Sequence, residues 1–117
     1  MKAIVIKPGE KPEIKELDAD GGIKAELGGW LEGLRFTDNS YAFIDEEGKE
    51  KGLPINELAT QLCTKYGVGL AANDCIVGTF ILVGTLNEQG EADGDEHDVP
   101  DLILEQITAT EWRQGKL

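Results

Sequence analysis

The sequence predicts a single α+β domain over residues 1–117, with a mostly antiparallel sheet of about five strands and two or three helices packed mainly on one face. Three observations predict it. Short β-branched runs alternate with Pro, Gly, Asn and Asp clusters, the punctuation of hairpin-connected strands. Leu58, Leu62 and Tyr66 recur at helical spacing. Cys75-Ile-Val-Gly-Thr-Phe-Ile-Leu-Val-Gly84 is a continuous apolar stretch of the kind that fills a sheet centre. At 117 residues the chain has length for one core and not for two. No internal repeat or linker divides it.

Taken in order, Lys2-Ala-Ile-Val-Ile-Lys7 reads as a strand ended by Pro8-Gly9. Pro12 to Leu17 alternates apolar with charged residues, so the two form a hairpin closed through Pro8-Gly9-Glu10-Lys11. Gly21 to Leu27 is a short helix, with Asp18 or Asp20 as its cap and Gly28-Gly29 as its end. Trp30 to Phe36 reads as a strand with Trp30, Glu32, Leu34 and Phe36 on one face, followed by the turn Thr37-Asp-Asn-Ser40. Tyr41 to Asp45 continues as a strand, and Glu46-Glu-Gly-Lys49 is a second turn.

Asn56 is a good N-cap for a helix through Tyr66. The apolar stretch from Cys75 is expected to be a strand buried on both faces, in which Gly78 marks a bulge or a close approach by another backbone. Residues 88–101 are expected to be an acidic, solvated loop. In the tail element, residues 102–117, Leu102, Ile103 and Ile107 can stripe a helix capped by Asp101, whereas Thr108 and Thr110 also suit a strand. The helix is the preferred reading.

Charge narrows the function. Against 23 acids stand 11 bases, a net charge of −12. Such a chain repels phosphate backbones and anionic membranes, so neither is an expected partner. It is drawn instead to basic protein surfaces, or simply kept soluble. Met1-Lys-Ala-Ile-Val-Ile-Lys7 lacks a signal-peptide apolar run, and no segment approaches membrane-spanning length, so a cytoplasmic protein is expected.

Catalysis finds little footing. The only histidine, His97, lies in the stretch Glu88 to Asp101, where seven carboxylates crowd without a lysine or arginine. Cys63 and Cys75 read as small core residues rather than a redox pair or zinc ligands. Nucleophilic and metal chemistries need histidine or paired thiols, so no catalytic residue, metal or cofactor is assigned. The spacing of Gln89, Glu91, Asp93, Gly94, Asp95 and His97 echoes a calcium loop loosely, but a glutamine opens it and Pro100 replaces the bidentate glutamate. Gly67-Val-Gly69-Leu-Ala-Ala-Asn73 has no following lysine and fails the phosphate-loop templates.

Two segments remain as candidate ligand contacts. Gly28-Gly29-Trp30 lets a backbone approach closely beside an indole face on which a base can stack; the alternative is a helix C-cap followed by a core tryptophan. Lys49-Glu-Lys51-Gly-Leu-Pro-Ile-Asn56 puts Lys49 and Lys51 beside a helix start that can hold an anion; the alternative is a shaped turn with Asn56 as cap.

The opening Lys2-Ala-Ile-Val-Ile-Lys-Pro-Gly9, Gly28-Gly-Trp-Leu-Glu32, Glu46-Glu-Gly-Lys49, Lys51-Gly-Leu-Pro-Ile-Asn56 and Ile76-Val-Gly-Thr79, with Val83 and Gly84 following, form an ordered set. In that order and spacing the chain resembles, over about residues 1–101, the family named domain of unknown function 3846. Trp30 and Ile55 depart from it, standing where tyrosine and a second proline are more usual. The resemblance lends no catalytic residues. It implies a setting of phages and mobile elements, in which small acidic proteins counter host defences by mimicking DNA or by sequestering a signalling nucleotide.

The leading expectation is therefore a non-enzymatic binding protein that inhibits a host defence or nucleic-acid-handling protein. Glu88, Glu91, Asp93, Asp95, Glu96 and Asp98 would present carboxylates to its basic surface, with Asp45, Glu46 and Glu47 as a second cluster. The alternative expectation is a nucleotide-type ligand held by Gly28, Gly29, Trp30, Lys49, Lys51 and Asn56. A homo-oligomer through an open sheet edge is a further expectation.

Overall fold

A computed structural model describes residues 1–70 and 74–109. Its element order is β1 (Lys2–Ile6), β2 (Glu13–Glu16), α1 (Gly22–Leu27), β3 (Leu31–Thr37), β4 (Ser40–Asp45), α2 (Glu57–Lys65), β5 (Phe80–Leu86), β6 (Ala92–His97) and α3 (Asp101–Ala109). The expected α+β class holds, with a six-stranded sheet in which every pairing is antiparallel.

The strand order is β2-β1-β5-β4-β3, and β6 also pairs with β5. One side of β5 is taken by β4, with Ser40 opposite Gly84 and Phe43 opposite Ile81. Its other side is shared end to end: β1 pairs with Phe80–Leu82, and β6 joins at Gly84 and Leu86. The junction is tied by the Lys2 N–H donating to Asp98 Oδ1 at 2.6 Å and the Val99 N–H donating to Lys2 O at 2.9 Å.

Strand periodicity divides the core between the two faces of the sheet. Ile4, Ile6, Phe36, Ala42, Phe80 and Leu82 point to one face, where Leu58, Ala59, Leu62 and Cys63 of α2 and Ile103 and Ile107 of α3 cover them. Ala3, Val5, Ile81 and Val83 point to the other, which Ile23 of the short α1 covers only in part. Thus β5 is buried on both faces, as the apolar run predicts. Burial also pushes the Cys63 thiol up to about 11, so it stays protonated as a small apolar side chain.

Several boundaries differ from expectation, each for a physical reason. The strand predicted from Cys75 begins only at Phe80, because residues 76–78 pair instead with the segment before α2: the Asn56 N–H donates to Ile76 O and the Gly78 N–H to Pro54 O, both at 2.8 Å. Cys75 consequently sits half-buried rather than in the core. Neither Asp18 nor Asp20 caps α1; Gly21 occupies the cap without a side-chain bond, and Asp18 Oδ1 accepts from the Asp20 N–H in a local turn. Gly28 closes α1 in the left-handed conformation, as expected of a C-cap glycine.

The acidic stretch is solvated as expected but is not a loop throughout. Residues 92–97 form β6, paired to β5. The tail is helical, but its buried stripe is Ile103 and Ile107, with Leu102 65% exposed, and Asp101 is the first helical residue. The rest of the tail, residues 110–117, lies outside the described residues.

Candidate functional site

The β5–β6 hairpin is shaped by its turn chemistry. Asn87 Oδ1 accepts from the N–H groups of Gln89 and Glu91, both at 3.0 Å, while the Gly90 N–H donates to Asn87 O at 2.9 Å. This side-chain mimicry of a backbone turn suits asparagine. Further along, Asp93 Oδ1 accepts from the Asp95 N–H at 3.0 Å and meets His97 Nε2 at 2.7 Å. The His97 contact, with the Asp95 N–H, holds the Asp93 carboxyl below the usual carboxylate range.

The six predicted hairpin carboxylates therefore fall into two groups. Asp93 and Asp98 serve local structure, the first through His97 and Asp95, the second by anchoring Lys2. Glu88, Glu91, Asp95 and Glu96 remain exposed to solvent. Glu88, Asp95, Glu96 and Asp98, with Asp20 from the approach to α1, line an open cleft of about 680 Å³ beside Leu86. No lysine or arginine lines it, though His97 and Met1, whose ammonium pairs with Glu16, do. Asp20 was not legible as a member, because only the packing of α1 carries it there.

The second predicted cluster lies elsewhere. Asp45 ends β4 and Ser40, beside Gly84, begins it, so five residues, about 17 Å, separate Asp45 from the hairpin side. Asp45 is also unavailable to a partner: its side chain is only 5% exposed, accepts from Lys51 Nζ at 2.7 Å, and accepts from the Glu47 N–H at 2.9 Å. The Lys51 ammonium, followed by the Glu47 N–H, holds its carboxyl below the usual range against the opposing effect of burial. Glu46 is exposed and Glu47 half-buried in the following turn.

The candidate ligand residues are brought only partly together. Gly29 packs against Asp45, and a Cβ there would fall 2.3 Å from Asp45 Oδ2. The Glu46 N–H donates to Trp30 O at 2.8 Å, so the glycine corner, Asp45 and Lys51 form one structural knot. Trp30 is 62% exposed, which excludes the core-tryptophan alternative, and Lys24 Nζ stands 4.4 Å from its ring centroid. Such a cation–π contact takes up one indole face.

The anion-holding half does not assemble. Lys51 is bound to Asp45, and Lys49 pairs with Asp74. Asn56 is fully buried, donating to Ile6 O and Gly78 O at 2.9 Å and accepting from the Ala59 N–H at 3.1 Å. It is a cap and a bridge, with no access to a ligand.

An apolar groove escaped the sequence reading. Of about 320 Å³, it runs along the face that α1 covers in part, between Tyr41, Phe43 and Val83 and the Ala92 end of β6, and Asp95 and Glu96 border it as well as the acidic cleft. The alternation of Tyr41 with Phe43 was its one visible signal.

Among the described residues no three His, Cys, Asp or Glu side chains are grouped to hold a metal ion, and no helix is long and apolar enough to cross a membrane. No curated protein and no solved structure matches the chain. A family model described as Domain of unknown function (DUF3846) matches residues 1–108, and the chain belongs to that family.

Proposed function

We propose that this domain is a non-enzymatic binding protein that engages a basic protein surface through the β5–β6 hairpin. One observation carries the reading: Glu88, Asp95, Glu96 and Asp20 converge on one cleft that no lysine or arginine lines. Like charges held together repel one another, and a cationic surface relieves that repulsion when it docks. The mechanism is substitution of carboxylates for phosphates. The partner is then a nucleic-acid-handling or defence protein of a cell that hosts a mobile element, and the effect is inhibition by occupation of its basic groove. A cytoplasmic setting belongs to the same reading.

Nucleotide sequestration, the alternative expectation, draws less support. Its phosphate-holding residues are committed to Asp45, Asp74 and the protein interior.

Affinity capture from a host, with the intact protein as bait, supplies the partner for the test. Between about 50 mM and about 500 mM salt its affinity should fall by orders of magnitude, because the contacts are between exposed charges. The combined Glu88→Gln, Asp95→Asn, Glu96→Gln variant should bind weakly at both. Equal affinity across that salt range, or full affinity in the variant, overturns the proposal.

A further inference from the structure

We infer that the partner docks a cationic amphipathic segment, one whose apolar side chains seat between Tyr41, Phe43, Val83 and Ala92 while flanking lysines or arginines meet Asp95 and Glu96. The inference rests on the proposed function and deepens it, by giving the basic partner an apolar anchor.

The two faces of the sheet are covered unequally. Two nine-residue helices, α2 and α3, cover one face. Among the described residues the other is covered by the six residues of α1, which span about 9 Å, with Leu17 and Met1 beside them. The Tyr41 and Phe43 rings, 5.7 Å apart, pack against the cluster that holds Ile23 of α1 yet stay half-buried, and they form one wall of the groove. The groove volume of about 320 Å³ lies at the lower end for small-molecule sites, roughly 300–1,000 Å³, and suits one or two apolar side chains.

Charge complementarity selects the occupant. Asp95 and Glu96 border both the groove and the acidic cleft, so an apolar side chain in the groove brings its chain neighbours against carboxylates. No lysine or arginine lines either space, and the Met1 ammonium beside the cleft is already paired with Glu16 and donates to Leu17 O, so little remains to repel a cationic segment. A neutral apolar peptide would leave those carboxylates partly desolvated and unpaired, which is unfavourable. A purely basic one would leave the aromatic wall wet.

The test uses two synthetic peptides of equal charge, one with a Leu-Trp-Leu centre between lysine pairs, the other with Ser-Gly-Ser in its place. Binding is read by amide chemical shifts of the intact, isotope-labelled protein. The Leu-Trp-Leu peptide should bind about tenfold tighter or more at matched salt, with shifts concentrated at residues 83–85 and 92–96. Gly33→Ala, whose Cβ would fall 2.4 Å from Tyr41 Cε2 and so displace that ring, should weaken this peptide alone. Equal binding of both peptides overturns the groove while leaving the charge-based function standing. Tight Leu-Trp-Leu binding that Asp95→Asn with Glu96→Gln leaves unchanged overturns the charge-based function and the inference together. So does binding by neither peptide. Shifts at Trp30 and Leu31 instead, or concentration-dependent shifts at the groove without peptide, assign the contact to another face or to a second copy and overturn the inference alone.

Discussion

Asn56 joins three segments through one side chain: Ile6 in β1, Gly78 before β5, and Ala59 in the first turn of α2. All three partners are backbone groups, and the asparagine itself is 0% exposed. Asn56→Ala strands two carbonyls and one N–H where water cannot readily replace them, at roughly 1–3 kcal/mol for each unsatisfied group. The expected loss is about 3–5 kcal/mol, a large share of the stability of a small domain. Urea unfolding checks it, and a loss below about 1 kcal/mol would mean that water enters the site. As a helix cap Asn56 was legible, since capping is local chemistry. Its bond to Ile6 was not, because fifty residues of sequence separate the two. Asp45 behaves comparably. Its carboxyl titrates below the usual range in the folded state, so the stability it contributes is present above the unfolded pKa of about 3.9 and is lost as pH falls through the folded value. Asp45→Asn should therefore destabilise at neutral pH, by about 1–3 kcal/mol for the buried bonds weakened. The gap from wild type should close below about pH 4. A gap unchanged down to pH 3 would show that the carboxylate charge is not what Lys51 and Glu47 stabilise.

At the scale of elements, β6 shows how pairing overrides local preference. Ala92-Asp-Gly-Asp-Glu-His97 is rich in residues depleted from strands, and every signal within it favours a loop. What makes it a strand lies outside it. The Asn87–Gly90 turn folds the chain back, and the second half of β5 offers an edge where β1 has stopped. By contrast β1, β4 and α2 were legible, because their apolar periodicities agree with the turns and caps that bound them. β2 forms as a strand without the half-buried face its alternation predicts, Ile14 being 47% exposed. The acidic character of the site could be read from residue types alone. The groove could not, since it depends on how little of the sheet α1 covers. Gly84 is the element-scale weak point, where β5, β6 and the entry to β1 meet. A Cβ there would lie 2.0 Å from Asp98 O, a backbone atom with no rotamer by which to move. Gly84→Ala should therefore force β6 away from β5 and release Lys2 from Asp98. The expected signature is loss of hydrogen-exchange protection at residues 92–97 and Lys2, with Phe80–Leu82 still protected by β4 and β1. Unchanged protection in β6 would show that the hairpin absorbs the methyl by a backbone shift.

For the whole molecule, the net charge of −12 separates what stabilises the fold from what equips it to bind. Among the described residues the lysine–carboxylate pairs that fix structure use Asp45, Asp74 and Glu26, none of them on the hairpin, where Asp93 meets His97 instead. Glu88, Asp95 and Glu96 are exposed and add only to the excess of negative charge. Such self-repulsion opposes compaction and weakens with salt. Two consequences are expected of one variant, Glu88→Gln with Asp95→Asn and Glu96→Gln. Its stability should match or exceed that of the wild type, within about 0.5 kcal/mol at high salt, because among the described residues no bond of those side chains is removed and some repulsion is. Its thermal midpoint should also rise less with added salt than that of the wild type, since less repulsion remains to be screened. A variant that unfolds more easily would show that these carboxylates hold the hairpin in place, and would give their clustering a structural cause. Retained or increased stability, together with lost affinity for the basic partner, is the combination that marks side chains placed for recognition at the expense of folding free energy.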